Sequence, residues 1–134
     1  MRENGWPLPP GDEPVITLTV IVTGDSRLPD AAYPFVCRTL DKLLRRHLPT
    51  VCLIYCWRST GTDALVGRYV RERKLPFNLI GKRTPDVLAA MAAQAVIIFD
   101  GGAKESDALV RQASADRLAV RVVDVRRFVT PARG

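Results

Sequence analysis

Three cysteines, one histidine and short apolar runs are all this chain offers, and each shortage removes a class of protein. Cys37, Cys52 and Cys56 are odd in number, which is wrong for a disulfide framework. Cys52 and Cys56 lie four apart on one face of an apparent strand, with no histidine beside them. They read as small buried apolar residues in a reducing compartment. His47 falls near the end of a helical stretch, where a cation suits the helix dipole. Neither a metal nor a cofactor is therefore expected. No apolar run approaches the roughly 18–20 residues that a membrane span needs. Met1-Arg2-Glu3-Asn4-Gly5 has no apolar core of a secretory signal, so the expected location is the cytoplasm.

The 134 residues suit one domain with a real core. With 47% hydrophobic and 25% charged residues, the composition is that of a globular chain rather than a disordered one. The net charge is +6, which raises nucleic acid as a partner. The basic residues, however, come in small separated groups: Arg45-Arg46, Arg71/Arg73/Lys74, Lys82-Arg83 and Arg126-Arg127. No glycine or aromatic residues interleave them. A solvated basic surface, or one that attracts small anions, is favoured over a dedicated nucleic-acid face.

Residues 1–14 hold four prolines, two glycines and Trp6, and read as an N-terminal arm. Residues 15–125 alternate strand and helix. Val15–Thr23 is the first strand. Asp30 is expected to cap a helix over Ala31–His47, with Pro34 in its first turn. Strands follow over Val51–Cys56 and Phe77–Ile80, separated by a helix over Thr62–Lys74. Thr84-Pro85-Asp86 opens a helix to Ala93, Ala95–Phe99 is the fourth strand, Glu105–Asp116 a helix and Val120–Val125 the fifth strand. Residues 126–134 are a tail expected to fray. Short strands rich in Val and Ile suit burial on both faces. The expected fold is an α/β three-layer Rossmann-like sandwich, with a central, mainly parallel five-stranded sheet and helices on both faces.

In such a sheet ligands bind at the carboxyl ends of the strands, where strand order reverses. With the order 3-2-1-4-5, the loops there are 23-TGDSRLPD-30, 57-WRSTGTD-63 and 100-DGGAKES-106. Gly24 permits a close turn, Ser26 offers a hydroxyl, and Arg27 brings a planar fork of donors suited to phosphate. Gly61 opens the second helix, and Asp63 is placed to hold a ribose hydroxyl. Gly101 and Gly102 offer backbone N–H groups at a helix start, with Lys104 beside them. Trp57 can stack on a base and Arg58 can pair with phosphate.

These three loops, in order and spacing from about Val15 to Val125, resemble the SLOG superfamily of Rossmann-like domains, and most closely its YspA/YpsA-related branch of small bacterial and phage proteins. The resemblance is carried by Thr23-Gly24-Asp25-Ser26-Arg27, by Cys56 to Asp63, and by Phe99-Asp100-Gly101-Gly102-Ala103-Lys104-Glu105. It implies binding of a nucleotide or nucleotide-derived ligand. A related branch hydrolyses the N-glycosidic bond of nucleoside 5′-monophosphates, and the alignment puts its catalytic glutamate at Ala108 and its Gly-Thr at Lys104-Glu105. Asp107 is one residue out of place. The expected function is thus ligand binding without catalysis, in the manner of a sensor. Phosphoribohydrolysis and nucleic-acid binding are the alternatives, and a homodimer is suggested by the alanine-rich helix after Thr84.

Overall fold

The computed structural model describes residues 16, 18–48, 50–56, 60–80, 93–102, 110, 111, 113–115 and 118–129. Five strands, β1 (Leu18–Gly24), β2 (Val51–Cys56), β3 (Phe77–Ile80), β4 (Ala95–Asp100) and β5 (Ala119–Asp124), form one sheet. Its order is β3-β2-β1-β4-β5, and every neighbouring pair is parallel. Among the described residues two helices are complete, α1 (Tyr33–Leu44) and α2 (Gly61–Arg73). The expected Rossmann-like α/β architecture and strand order are therefore observed. The helix expected after Thr84 lies outside the described residues. Of the helix expected over 105–116, residues 110, 111 and 113–115 are described and helical.

Alternation along the strands divides the core into two layers, as the period of two requires. Val20, Val22, Leu53, Tyr55, Ile97 and Phe99 face α1 and α2, where they meet Val36, Leu40, Leu65 and Tyr69. Ile21, Ile54, Val96 and Ile98 point the other way and pack with Ala113. Near-continuous β-branched runs are what a sheet covered on both faces needs. The outer strands are less covered: Phe77 and Leu79 on β3 and Val122 on β5 are exposed.

Several boundaries differ from the sequence expectation. β1 starts at Leu18, and Ile16 before it is exposed. Asp30 does not cap α1. Pro29 is extended and opens a 3-10 turn over Asp30–Ala32, closed by the Ala32 N–H on the Pro29 carbonyl at 2.9 Å. Asp30 is the first residue of that turn and makes no side-chain cap bond. α1 ends at Leu44, whose carbonyl accepts from both His47 (2.8 Å) and Leu48 (3.0 Å), so the chain leaves by tightened turns. α2 ends at Lys74, which takes the left-handed conformation at φ 54°. Leu75 N–H then reaches the Val70 carbonyl and Lys74 N–H that of Arg71, the paired bonds of a Schellman end.

Polar contacts join α1 to α2 above the apolar layer. Tyr69 donates to Asp41 at 2.7 Å, and the Arg73 fork closes on the same carboxylate at 2.8 and 3.3 Å. These donors hold the Asp41 carboxyl below its ordinary range. Tyr33 donates to Glu72, and Arg68 lies 4.0 Å from the centre of the Tyr33 ring.

Candidate functional site

β1 and β4 are central neighbours that run in opposite connection directions, so the sheet's switch point lies between their carboxyl ends. Gly24 lies beside Phe99 in register, which brings the loop after β1 against the loop after β4. The start of α2 closes the third side. The residue that ties the three together is Asp25, which is 1% exposed. Its N–H donates to the Phe99 carbonyl at 3.0 Å, and its own carbonyl accepts from Thr62 N–H at 3.1 Å and the Thr62 hydroxyl at 2.9 Å. Its carboxylate holds Arg27 through the backbone N–H (2.8 Å), Nε (3.0 Å) and Nη2 (2.7 Å). Arg27 Nη2 also reaches the Gly101 carbonyl at 3.3 Å.

The glycines divide into two kinds. A Cβ on Gly24 would lie 2.5 Å from the Phe99 carbonyl oxygen and 2.7 Å from Thr62 Oγ1. On Gly61, at φ +79°, it would strike the Ser26 backbone at 2.5 Å. On Gly101 it would meet Asp25 Oδ2 at 2.4 Å and Val129 Cγ2 at 2.8 Å. At these three positions the space is filled by the protein itself, so glycine there serves loop packing and not ligand approach. Gly102 is different. It is exposed, sits at φ +95°, and among the described residues the nearest atoms to its missing Cβ are those of the Arg126 stem at 3.8 Å.

The expected site residues accordingly take unequal places. Gly24, Ser26, Arg27, Gly61, Asp63, Gly101 and Gly102 all lie at the carboxyl edge. Ser26 is exposed and lends its backbone to Gly61. Arg27 is 43% exposed and its fork is turned onto Asp25. Asp63 stands in the first turn of α2 and is 1% exposed, which puts its carboxylate inside the fold rather than at a surface where a ribose would lie. Trp57, Arg58 and Lys104, with Glu105, Asp107 and Ala108, lie outside the described residues.

Asp25, Thr62, Asp100, Asp124 and Arg126 complete the edge. Asp100 Oδ1 accepts the Gly102 N–H at 2.7 Å, which occupies one of the backbone donors expected to face an anion. The end of β5 repeats the pattern of β1: Asp124 holds Arg126 through N–H (2.9 Å), Nε (3.0 Å) and Nη2 (2.9 Å). There the Arg126 fork pulls the Asp124 carboxyl down to about 2. In both cases an aspartate at a strand end binds the backbone and side chain of the arginine two residues on, a local habit of Asp. The spacing Asp-x-Arg was the available signal for both pairs. The tail expected to fray from Arg126 is ordered at its start. Arg126–Phe128 is a 3-10 turn, and Val129 is buried against Gly101. Arg127 lies 4.9 Å from the Phe35 ring centre and 4.8 Å from that of Phe128.

Four carboxylates and two guanidiniums thus line the described part of the edge, and each guanidinium is clasped by a carboxylate. Among the described residues no group of three His, Cys, Asp or Glu side chains could hold a metal ion. A cavity of about 250 Å³ lies at the opposite end of the sheet, lined by Leu18, Val20, Leu43, Leu44, Ile97 and Arg121 among others, and shares no lining residue with the glycine loops. No helix among the described residues is long and apolar enough to cross a membrane.

No family model matches this sequence, and no curated protein matches it either. Among solved structures, that of a translation initiation factor eIF-2B from Pyrococcus horikoshii OT3 is similar over 86% of this chain, with 12% identity and a TM-score of 0.47. This chain spans 48% of that one.

Proposed function

We propose that the carboxyl edge of the sheet binds a nucleotide or nucleotide-derived anion and does not catalyse its breakdown. The observation that carries this reading is the meeting of the β1 loop, the β4 loop and the start of α2 at the switch point, cross-linked by Asp25, with the exposed Gly102 beside them. Sites in open parallel sheets sit at that point because loops diverge there and leave a crevice. The buried glycine contacts make its floor rigid, so ordering costs on binding are small. The resemblance of the loops to those of SLOG domains supports the same ligand class, and Ala108 at the position of the catalytic glutamate supports binding without hydrolysis. Phosphate held here would exchange for the Asp100 carboxylate at the Gly102 N–H.

Thermal unfolding in the presence of AMP, ADP, ADP-ribose, NAD and cyclic dinucleotides tests this. A ligand at a hundred times its dissociation constant adds about 2.7 kcal/mol to stability, so at least one of them is expected to raise the midpoint by several degrees. If millimolar concentrations of all of them leave the midpoint of the folded protein unmoved, the reading is wrong. Release of free adenine from AMP, followed by chromatography, would replace it with the phosphoribohydrolase reading.

A further inference from the structure

We infer that the cavity at the amino end of the sheet is a binding site for a small apolar carboxylate, with Arg121 holding the carboxylate. It shares no lining residue with the glycine loops, so the inference stands apart from the nucleotide reading.

The cavity has a cause in the strand register. Residues opposite one another in neighbouring strands point to one face of the sheet. Val20, Ala95 and Ala119 form such a row across β1, β4 and β5, and Val22, Ile97 and Arg121 form the next. Both rows lie on the face that α1 covers, where Val20, Val22 and Ile97 join the larger core layer. Two alanine methyls stand side by side where the following row carries an isoleucine and an arginine. The last turn of α1 brings Leu43 and Leu44 over them, and Leu18 lines the β1 side. The space of about 250 Å³ is what the two short side chains leave unfilled.

Nine of the ten lining residues are apolar, and the tenth is Arg121. No carboxylate lines the space. Arg121 is exposed, and its guanidinium makes no ion pair or hydrogen bond among the described residues. Arg27, Arg68, Arg73 and Arg126, by contrast, are each held by a carboxylate. The chain that leaves the roof of the cavity is Arg45-Arg46, exposed as well, and these charges draw anions toward this end of the sheet.

The lining decides the ligand class. An uncharged apolar guest leaves the guanidinium unused, and an inorganic anion leaves the apolar walls unused. A guest with an apolar body and one terminal carboxylate uses both. Its body displaces water from Leu43, Ala95 and Ala119, while its carboxylate stays at the mouth, still wetted and paired with the planar fork of Arg121. The volume lies just under the roughly 300–1,000 Å³ of drug-sized sites, so the guest is small. A dry cavity of about 150 Å³ is enough for benzene, so this one admits a phenyl ring or a chain of about six carbons.

Titration of the full chain, followed through the assigned methyl resonances of Ala95 and Ala119, tests the inference. Hexanoate and phenylacetate are the ligands, with hexanol, acetate and inorganic phosphate for comparison. Both ligands are expected to move the two methyl resonances with dissociation constants of about 0.1–1 mM. Hexanol is expected to bind at least about fivefold more weakly than hexanoate, and acetate and phosphate to leave the resonances unmoved. Arg121→Met, which keeps the stem and loses the fork, is expected to bring hexanoate down to the level of hexanol while leaving hexanol binding and the unfolding midpoint unchanged. Ala119→Leu fills the space and is expected to abolish binding of both. A wild type whose methyl resonances do not move with either ligand at about 10 mM overturns the inference. So does an Arg121→Met variant that binds hexanoate as the wild type does, and so does binding that survives Ala119→Leu in the folded protein.

Discussion

The two Asp-x-Arg clasps make the same three bonds in two environments, and that pairing isolates the effect of burial. Asp25 is 1% exposed and Arg27 43%, whereas Asp124 and Arg126 are 61% and 71% exposed. Replacing Arg27 by Met keeps most of the stem and removes the fork. The Asp25 carboxylate is then left dry with two of its charge-assisted donors gone, and stranding a fully buried charge costs about 3–5 kcal/mol. Water already reaches the outer half of Arg27, so the cost is discounted to about 2 kcal/mol. Asp25→Asn does the reverse. It relieves the buried charge while Arg27 keeps its bond to the Gly101 carbonyl, so the loss is about 1 kcal/mol, that of one mismatched hydrogen bond. For 134 residues, an unfolding entropy of about 2.1 cal/mol/K per residue makes 1 kcal/mol worth about 3–4 °C. Calorimetry at pH 7 is therefore expected to show a fall of about 7 °C for Arg27→Met and about 3–4 °C for Asp25→Asn. Arg126→Met, at the exposed copy, is expected to move the midpoint by less than about 1 °C. Equal shifts at the two arginines, or a larger loss for Asp25→Asn than for Arg27→Met, would refute the assignment of the buried carboxylate as the group that needs its partner.

Four further outcomes follow from the geometry of the loops and helices. Gly101→Ala forces a Cβ to 2.4 Å from Asp25 Oδ2 and is expected to cost about 1–3 kcal/mol by overpacking. Gly102→Ala meets no atom of the described residues closer than 3.8 Å and pays for its φ of +95°, about 1–2 kcal/mol, so equilibrium denaturation should separate a steric loss from a conformational one. Lys74→Gly removes the left-handed strain at the end of α2 and is expected to raise stability by up to about 1 kcal/mol, read as a higher denaturant midpoint. Asp41 titrates below its ordinary value near 3.8 because Arg73 and Tyr69 donate to it. Its folded pKa is the lower one, so its contribution is present above that ordinary value and is lost as pH falls through the depressed one. Midpoints of Asp41→Asn measured from pH 7 downward are expected to approach those of the wild type once the pH drops below the carboxylate range.

The strands and their order were legible because burial on both faces leaves a plain mark: β-branched runs of five or six residues between polar turns. Ile21, Ile54, Val96 and Ile98 could be assigned to strands from composition alone, although which layer each enters depends on the register that pairing sets. The entry to α1 was less legible. Asp30 has the chemistry of a cap, but the extended Pro29 starts a 3-10 turn one residue ahead of it. Asp25 escaped notice because its importance lies in Phe99 and Thr62, residues 74 and 37 positions away in the chain. Val129 escaped for the same reason: a tail ending in Pro-Ala-Arg-Gly shows nothing of the pocket beside Gly101 that it fills.

The glycines carry the deeper lesson, because sequence identifies the residue and not what occupies the space beside it. A glycine after a parallel strand invites a ligand on general grounds. At Gly24, Gly61 and Gly101 the invitation is taken up by Phe99, Ser26 and Asp25. Those contacts pull the three loops so close that no side chain, and no phosphate, fits between them. Gly102 is left on the outer side of that knot, with Asp100 on its N–H and Arg126 beside it. A rigid floor of this kind cannot move to meet a ligand, so any adaptation must come from the groups that are exposed: the Asp100 carboxylate, the Asp124–Arg126 clasp and the outer half of Arg27. The proposed binding at this edge would therefore be an exchange of one anion for another at groups already in place, in which the ligand would have to outcompete a carboxylate. A phosphate would do so through its higher charge and its match to guanidinium donors, so on the proposed reading the arginines rather than the glycines would set the affinity.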